Sequence, residues 1–265
     1  MNKLMKLGLA AVMGLSLVGC GSSSSSTSEE DHLARIKSAG KLVVGLEGDW
    51  QPFSYHDKED NLCGVDVEVA ENIAKKLGVE VEIVEGKWDG LLTGLTTGTY
   101  DLVINGVDIT DERKETYDFS DPYVYDKTVL VVRDDNTDIQ SFDDLKGKTT
   151  ANSIGSTYME IGEKYGADVQ GVDDLSKCMD MVKNGTVNAT VNAATSINDY
   201  IKTTGDTCFK IVDESDSMPY AIPLKKGEDN ATLLKAVNEA LSEMRSEGTL
   251  KEISEKYFGS DLTEE

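Results

Sequence analysis

Short runs of consecutive apolar residues alternate along the chain with stretches whose apolar positions recur every four residues. Strand, helix, strand is the rhythm of a mostly parallel sheet. Residues 41–46 (KLVVGL) predict a buried strand, and 47–53 (EGDWQPF) the loop leaving it. Over 66–77, Val69, Ile73 and Leu77 recur every four residues with Ala70 and Ala74 beside them. That is one apolar helix face, with Asp66 as its cap and Gly78 as its stop. Residues 79–84 (VEVEIV) alternate as a strand. Asp89 caps a short helix carrying Leu91, Leu92 and Leu95 that ends near Gly98.

The stretch 101–123 (DLVINGVDITDERKETYDFSDPY) organises the first half. Leu102, Val103 and Ile104 predict a buried strand that breaks at Asn105-Gly106. Thr110 is a good N-cap, and Asp111 and Glu112 suit the positive end of the helix dipole. Arg113 does not suit it. Two readings stay open. Either Arg113 pairs locally with Asp111, Glu112 or Glu115, or its planar fork serves a carboxylate arriving at the strand end.

The pattern then restarts. Residues 128–132 (TVLVV) predict a buried strand, 142–148 (FDDLKGK) lead into another from Thr149, and Gly155-Ser156-Thr157-Tyr158 opens a helix. A helix over 174–184 and strands over 186–192 and 209–212 follow. Residues 218–224 (MPYAIPL) return the chain to the first half. The helix 232–247 presents Leu233, Val237, Leu241 and Met244 on one face and stops at Gly248. Gly147-Lys148-Thr149 copies the tail of a phosphate-binding loop, but the first required glycine falls on Phe142, which excludes that motif. Ser156 and Thr157 are ideal caps, and the same geometry presents free N–H groups and hydroxyls to an anionic ligand group. Phe53 reads as a core ring. Trp50, where a strand end opens to a crevice, reads as a ligand wall.

Before residue 30 the pattern is different. Lys3 and Lys6 precede an apolar run over 7–18, too short to span a bilayer and ordered like a secretory signal. Leu17-Val18-Gly19-Cys20 resembles a bacterial lipobox, which implies cleavage after residue 19 and acylation of Cys20. A serine-rich tether (GSSSSSTS, 21–28) follows, and folding is expected to begin near 31–35. The 265 residues carry a formal charge of −23, which argues against nucleic acid and anionic membrane surfaces as partners. With Cys20 spent on lipid, Cys63, Cys178 and Cys208 remain. The odd count leaves a Cys178–Cys208 disulfide open. Without CxxC, and with only His32 and His56 for imidazole, structural zinc is disfavoured.

From 41 to 258 the chain resembles an extracellular solute-binding protein (family 3) of an ABC importer, in the polar amino-acid group. LVVGLEGDWQPF (42–53), GVDVEVAENIAKKLG (64–78), KWDGLLTGL (87–95), the stretch 101–123, FDDLKGK (142–148), MPYAIPLKKG (218–227) and EGTLKEISEKYFG (247–259) occur in the family's order. Glu47-Gly48, ITDERKETYDFS (109–120) and the C-terminal run most resemble cystine-binding members. The resemblance implies a two-lobed α/β periplasmic-binding-protein-like fold of type II. Each lobe is then a mostly parallel sheet flanked by helices, and strands near 128–132 and 219–224 cross between them. Lobe one would comprise 31–127 and 222–265, and lobe two 128–221. The resemblance further implies a monomeric receptor without cofactor or metal, lipid-anchored outside the cell and docking on a membrane permease.

By that resemblance Arg113 takes the α-carboxylate of an amino acid. Asn105, Gly106 and Asp108 flank the α-carbon, Ser156 and Thr157 close over the carboxylate, Trp50 and Trp88 wall the side chain, and Glu47 lies near it. Two positions depart from the family pattern. Asp108 stands where most relatives carry Thr or Ser, and Ala193 stands where lobe two usually supplies an aspartate to the α-ammonium. Three readings follow: Asp108 has taken over the ammonium, the ligand lacks one, or Asp108 merely caps the following helix. Some cyclohexadienyl dehydratases resemble this fold as well. Such an enzyme would need Glu47 or Asp108 as its general acid. A sensory module presenting ligand to a signalling partner is a third class, which would need a second chain.

Overall fold

The computed structural model describes residues 31–265. The expected signal sequence, the lipid site expected at Cys20 and the serine-rich tether therefore lie outside the described residues. The chain forms two α/β lobes. In the first, three parallel strands lie in the order Glu80–Glu85, Lys41–Leu46, Leu102–Val103. Val69, Ala70, Ile73 and Ala74 of the helix Val65–Leu77 are buried against the core, as their spacing predicts. The cap differs from expectation. Gly64 is the N-cap, and Asp66 is wholly buried in the first turn. Only glycine fits at 64: φ is +132°, and a Cβ there would meet the Phe53 carbonyl oxygen at 2.2 Å.

The second sheet has six strands, in the order Asp168–Val172, Thr149–Ser153, Ala189–Ala193, Val124–Arg133, Phe209–Ala221, Val107–Asp108. Its first three strands are parallel and the remaining junctions are antiparallel. Phe209–Ala221 is one continuous strand, whereas the hydrophobic pattern predicts one strand over 209–212 and a separate return over 218–224. The polar residues between them (DESDS, 213–217) hide the continuity. Register shifts fall at Ile211/Asp213 and Glu214/Ser217, and Ser215 Oγ accepts the Thr128 N–H at 3.0 Å where the ladder is interrupted. The far end of this strand pairs Tyr220 with Asp108 and Ala221 with Val107, so it carries the chain back to the first lobe.

The strand Asp168–Val172 and the helices His32–Ala39, Ala194–Thr204 and Thr249–Phe258 are further elements that the periodicity did not single out. Ala194–Thr204 lacks a side-chain cap and follows its strand without a turn, so no punctuation marks its start. The helix Ala231–Glu247 buries Leu233, Val237, Leu241 and Met244, as read, and Gly248 ends it in the left-handed conformation. Cys63, Cys178 and Cys208 are free thiols, so Cys178 and Cys208 are not bridged here, and burial pushes the Cys178 thiol up to about 12. Among the described residues, no helix is long and apolar enough to cross a membrane, and no cluster of His, Cys, Asp or Glu could hold a metal ion.

Candidate functional site

A cleft of about 460 Å³ opens between the lobes. Parallel strands deliver their C-terminal ends, and the loops after them, to one edge of a sheet, and here both sheets do so toward the same space. From the first lobe come Glu47, Asp49 and Trp50 after the strand Lys41–Leu46, Trp88 at a helix start, and Asn105, Gly106 and Asp108 after the strand Leu102–Val103. From the second come Ser153, Ser156, Thr157, Tyr158, Asp174, Leu175 and Asn192. Eight of the nine residues singled out from the sequence thus line one cleft: Glu47, Trp50, Trp88, Asn105, Gly106, Asp108, Ser156 and Thr157. Arg113 packs behind the wall, its guanidinium carbon 5.2 Å from the Trp88 ring centre.

The local reading of Arg113 is corrected. Its backbone N–H donates to the Thr110 N-cap oxygen at 3.1 Å, as predicted, but its side chain does not pair with Asp111, Glu112 or Glu115. Nη1 donates instead to the Asp108 carbonyl oxygen at 3.2 Å and to Asp108 Oδ1. The pair is buried, with side-chain exposures of 9% and 7%. Among the described residues Nη1 makes both of the guanidinium's hydrogen bonds, which leaves Nε and Nη2 for a further acceptor. Asp108 Oδ2 is buried with no hydrogen-bond partner among the described residues.

The first-lobe floor is rigid for reasons that can be read atom by atom. Asn105 accepts the Glu47 N–H through Oδ1 at 2.8 Å and donates to Glu47 Oε2 at 2.8 Å, clasping both backbone and carboxylate. Desolvation nevertheless pushes the Glu47 carboxyl up to about 7. The Asn105 bond and Lys87 oppose the rise, while Asp49 and Asp174 add to it. Gly106 has φ +51°, and a Cβ there would strike the Trp50 ring at 2.6 Å, so only glycine lets the indole lie on this turn. Trp50 stacks on Phe53 at 4.3 Å, and Phe53 packs edge-on to Tyr220, which makes Phe53 the core ring expected. Beneath the floor, the Gly106 N–H donates to the Tyr123 hydroxyl at 3.0 Å, which donates to Asp66 Oδ1 at 2.6 Å. Complete burial drives the Asp66 carboxyl up to about 8.

The second-lobe wall is built from helix starts. Ser156 caps the helix Thr157–Lys164, accepting the Met159 N–H at 3.2 Å and donating to the Ser153 carbonyl at 2.7 Å. Ser156, Thr157 and Tyr158 line the cleft, so the start of this helix, the positive end of its dipole, lies at the wall. Asp174 caps the helix Leu175–Lys183 through the Lys177 N–H at 2.9 Å. The Tyr158 hydroxyl meets that of Tyr220 at 3.0 Å, joining this wall to the long crossing strand. Asp49, Ser153, Tyr158, Asp174, Leu175 and Asn192 were not assigned to the site from the sequence. Each reads locally as a loop, cap or core position, and only the apposition of the lobes places them together. Ala193 is fully buried, and its N–H donates to Asn192 Oδ1 at 2.9 Å.

Comparison with known proteins places this geometry. Residues 42–260 match the bacterial extracellular solute-binding proteins, family 3. The L-cystine-binding protein TcyA of Bacillus subtilis (strain 168) is 39% identical over 253 residues, covering 93% of this chain and 94% of that protein. An ancestral arginine-binding protein bound to arginine superposes with a TM-score of 0.78 at 40% identity, covering 83% of this chain and 99% of the other. The ancestral amino acid-binding protein AncCDT-1, a precursor of cyclohexadienyl dehydratase, superposes with a TM-score of 0.79 at 33% identity, covering 86% and 99%. These relatives are binding proteins rather than enzymes. With two lobes, a cleft at the strand ends and a family match across both, this chain is a member of the bacterial extracellular solute-binding proteins, family 3.

Proposed function

We propose that this protein is the membrane-anchored receptor of an ABC importer, capturing a polar amino acid, with cystine the first candidate, and delivering it to the permease. The observation that carries the reading is the arrangement of unlike charges and donors around one cleft. Arg113 has two guanidinium nitrogens uncommitted behind the first-lobe wall, and the Ser156–Thr157 helix start lines the same cleft from the other lobe. Together they would hold an α-carboxylate, with Asn105, Gly106 and Asp108 beneath the α-carbon. Trp50 and Trp88 would wall the side chain, and Glu47 would meet its polar end. Cys20 would carry the lipid, with lobe one as 31–127 and 222–265 and lobe two as 128–221. TcyA, a cystine binder by name, supports cystine as the first ligand to try.

Thermal unfolding of ligand-stripped protein against the natural amino acids and cystine tests the reading. A ligand at a hundred times its dissociation constant stabilises by about 2.7 kcal/mol, a rise in Tm of roughly 5–11 °C for a chain of this size. A rise confined to cystine or a few polar amino acids is expected. No rise with any of them would remove the amino-acid reading and send the search to other small solutes.

A further inference from the structure

We infer that His32 is a pH-sensitive clasp: protonated on both ring nitrogens, it seats the helix His32–Ala39 on the first lobe and unseats it as pH rises. The inference is independent of which ligand fills the cleft. Nδ1 of His32 bonds Asn230 Oδ1, and Nε2 bonds Asp101 Oδ1 at 2.7 Å. The sense of the Asn230 amide is fixed, because its Nδ2 donates to the Lys225 carbonyl at 2.8 Å. Turned round, it would set its own oxygen against that carbonyl. Asp101 is held as well. Its Oδ2 accepts the Val43 N–H at 2.7 Å, and its N–H donates to the Val43 carbonyl at 2.9 Å. A neutral imidazole offers one donor and one acceptor, whereas two facing acceptors call for a donor at each nitrogen. The imidazolium supplies both, and the adjoining carboxylate balances its charge.

One ring thereby ties three elements together. His32 opens its helix, Asp101 stands directly before the strand Leu102–Val103, and Asn230 is the N-cap of the helix Ala231–Glu247. Ile36 is the one buried residue of the helix His32–Ala39, so apolar packing holds it weakly. The His32 and Asp101 side chains are 16% and 20% exposed, and the proton can leave while the lobe stays folded. The Asp101 hydrogen bond raises the ring above the ordinary histidine value of roughly 6.5; burial opposes the rise, Asn230 adds to it and Arg35 detracts. Asp31, on the same stretch, caps the helix and accepts the Thr232 hydroxyl at 2.7 Å. The elements packed against the helix also carry Glu228 and Asp229, Lys41 paired with Glu82, and Lys235 paired with Glu239. A seated helix holds a proton that an unseated one gives up. Seating is therefore full below about 6.5 and weakens as pH rises through the folded value, the opening constant growing by up to about tenfold per unit between them. Eight residues span about 12 Å as a helix and roughly 26–29 Å when extended. Unseating the helix would thus add reach between the lobes and the lipid proposed at Cys20.

Nitrogen-15 NMR of the two histidine rings from pH 5 to 10, with backbone hydrogen exchange over the same range, tests this. Wild type, His32→Gln and His56→Gln are compared, the last to assign the ring signals. His32 is expected to carry protons on both nitrogens at pH 6 and to titrate above about 6.5. Protection of the amides in 32–39, relative to those of the helix Val65–Leu77, should fall by at least about threefold through that titration. In His32→Gln the relative protection should not change with pH. A ring with one protonated nitrogen at pH 6, or one titrating at or below about 6.5, would overturn the charged clasp. A charged ring whose titration leaves helix protection unchanged would overturn the switch, and so would the same fall in His32→Gln. The wild-type measurements decide the matter even if His32→Gln does not fold.

Discussion

Asp66 lies under the cleft rather than on its wall, yet its carboxyl supports the Gly106 turn through one tyrosine hydroxyl. Burial pushes its folded carboxyl up to about 8, against roughly 3.9 in an unfolded chain. The folded state therefore holds a proton that the unfolded state has released between those values. Stability contributed by the neutral acid is present at low pH and is lost as pH rises from about 4 through about 8. Asp66→Asn mimics the neutral acid and should lack this dependence. Urea midpoints measured over that range should show wild type falling relative to Asp66→Asn, by at most about 1.4 kcal/mol per unit of displacement. A difference that stays flat with pH would mean that Asp66 does not carry the proton. The sequence gives no hint of this role: Asp66 sits where a cap belongs, and only the close approach that Gly64 allows turns it inward.

At the scale of elements, Val124–Arg133 and Phe209–Ala221 are the pieces on which lobe motion would turn. They form one antiparallel ribbon, and its two register shifts interrupt the ladder hydrogen bonds between residues 211 and 217. An interrupted ladder bends more easily than a regular one, and Tyr220 near its end bonds Tyr158 on the second-lobe wall. If a ligand touches both lobes, it favours the arrangement in which both sets of contacts form. Saturating ligand should then lower the radius of gyration in solution scattering toward the roughly 18 Å of a compact chain this long. Identical scattering curves with and without ligand would remove closure from the mechanism. The 128–132 strand is evident from its apolar run. The length of its partner was not, because residues 213–217 are polar and half-exposed or exposed, and their pairing is set by a neighbour distant in sequence.

For the whole molecule, the charge of −23 and the N-terminal pattern bear on where the protein works. An acidic surface has no affinity of its own for an anionic membrane, so retention there depends on the acyl chains expected at Cys20. Palmitate labelling of producing cells should mark wild type and not Cys20→Ala, and the variant should appear in the medium or the soluble extracytoplasmic fraction. An unlabelled wild type found wholly in the soluble fraction would remove the anchor.

The sequence by itself determined the alternation of strands and helices, the glycine stops, the Thr110 and Ser156 caps though not those expected at Asp66 and Asp89, and the residue types that reach the cleft. These are local matters, decided by periodicity, side-chain caps and glycine conformations within a few residues. Only the tertiary structure decided what those residues do to one another. Arg113 faces three acidic neighbours in sequence and bonds a fourth, Asp108, because the turn after Val107–Asp108 folds the two together in a buried space where the pairing is no longer screened by water. The proton affinities of Glu47 and Asp66, the unpartnered Asp108 oxygen and the second-lobe wall have the same origin. Each depends on burial and on groups brought close from far along the chain, and hydrophobic periodicity records neither.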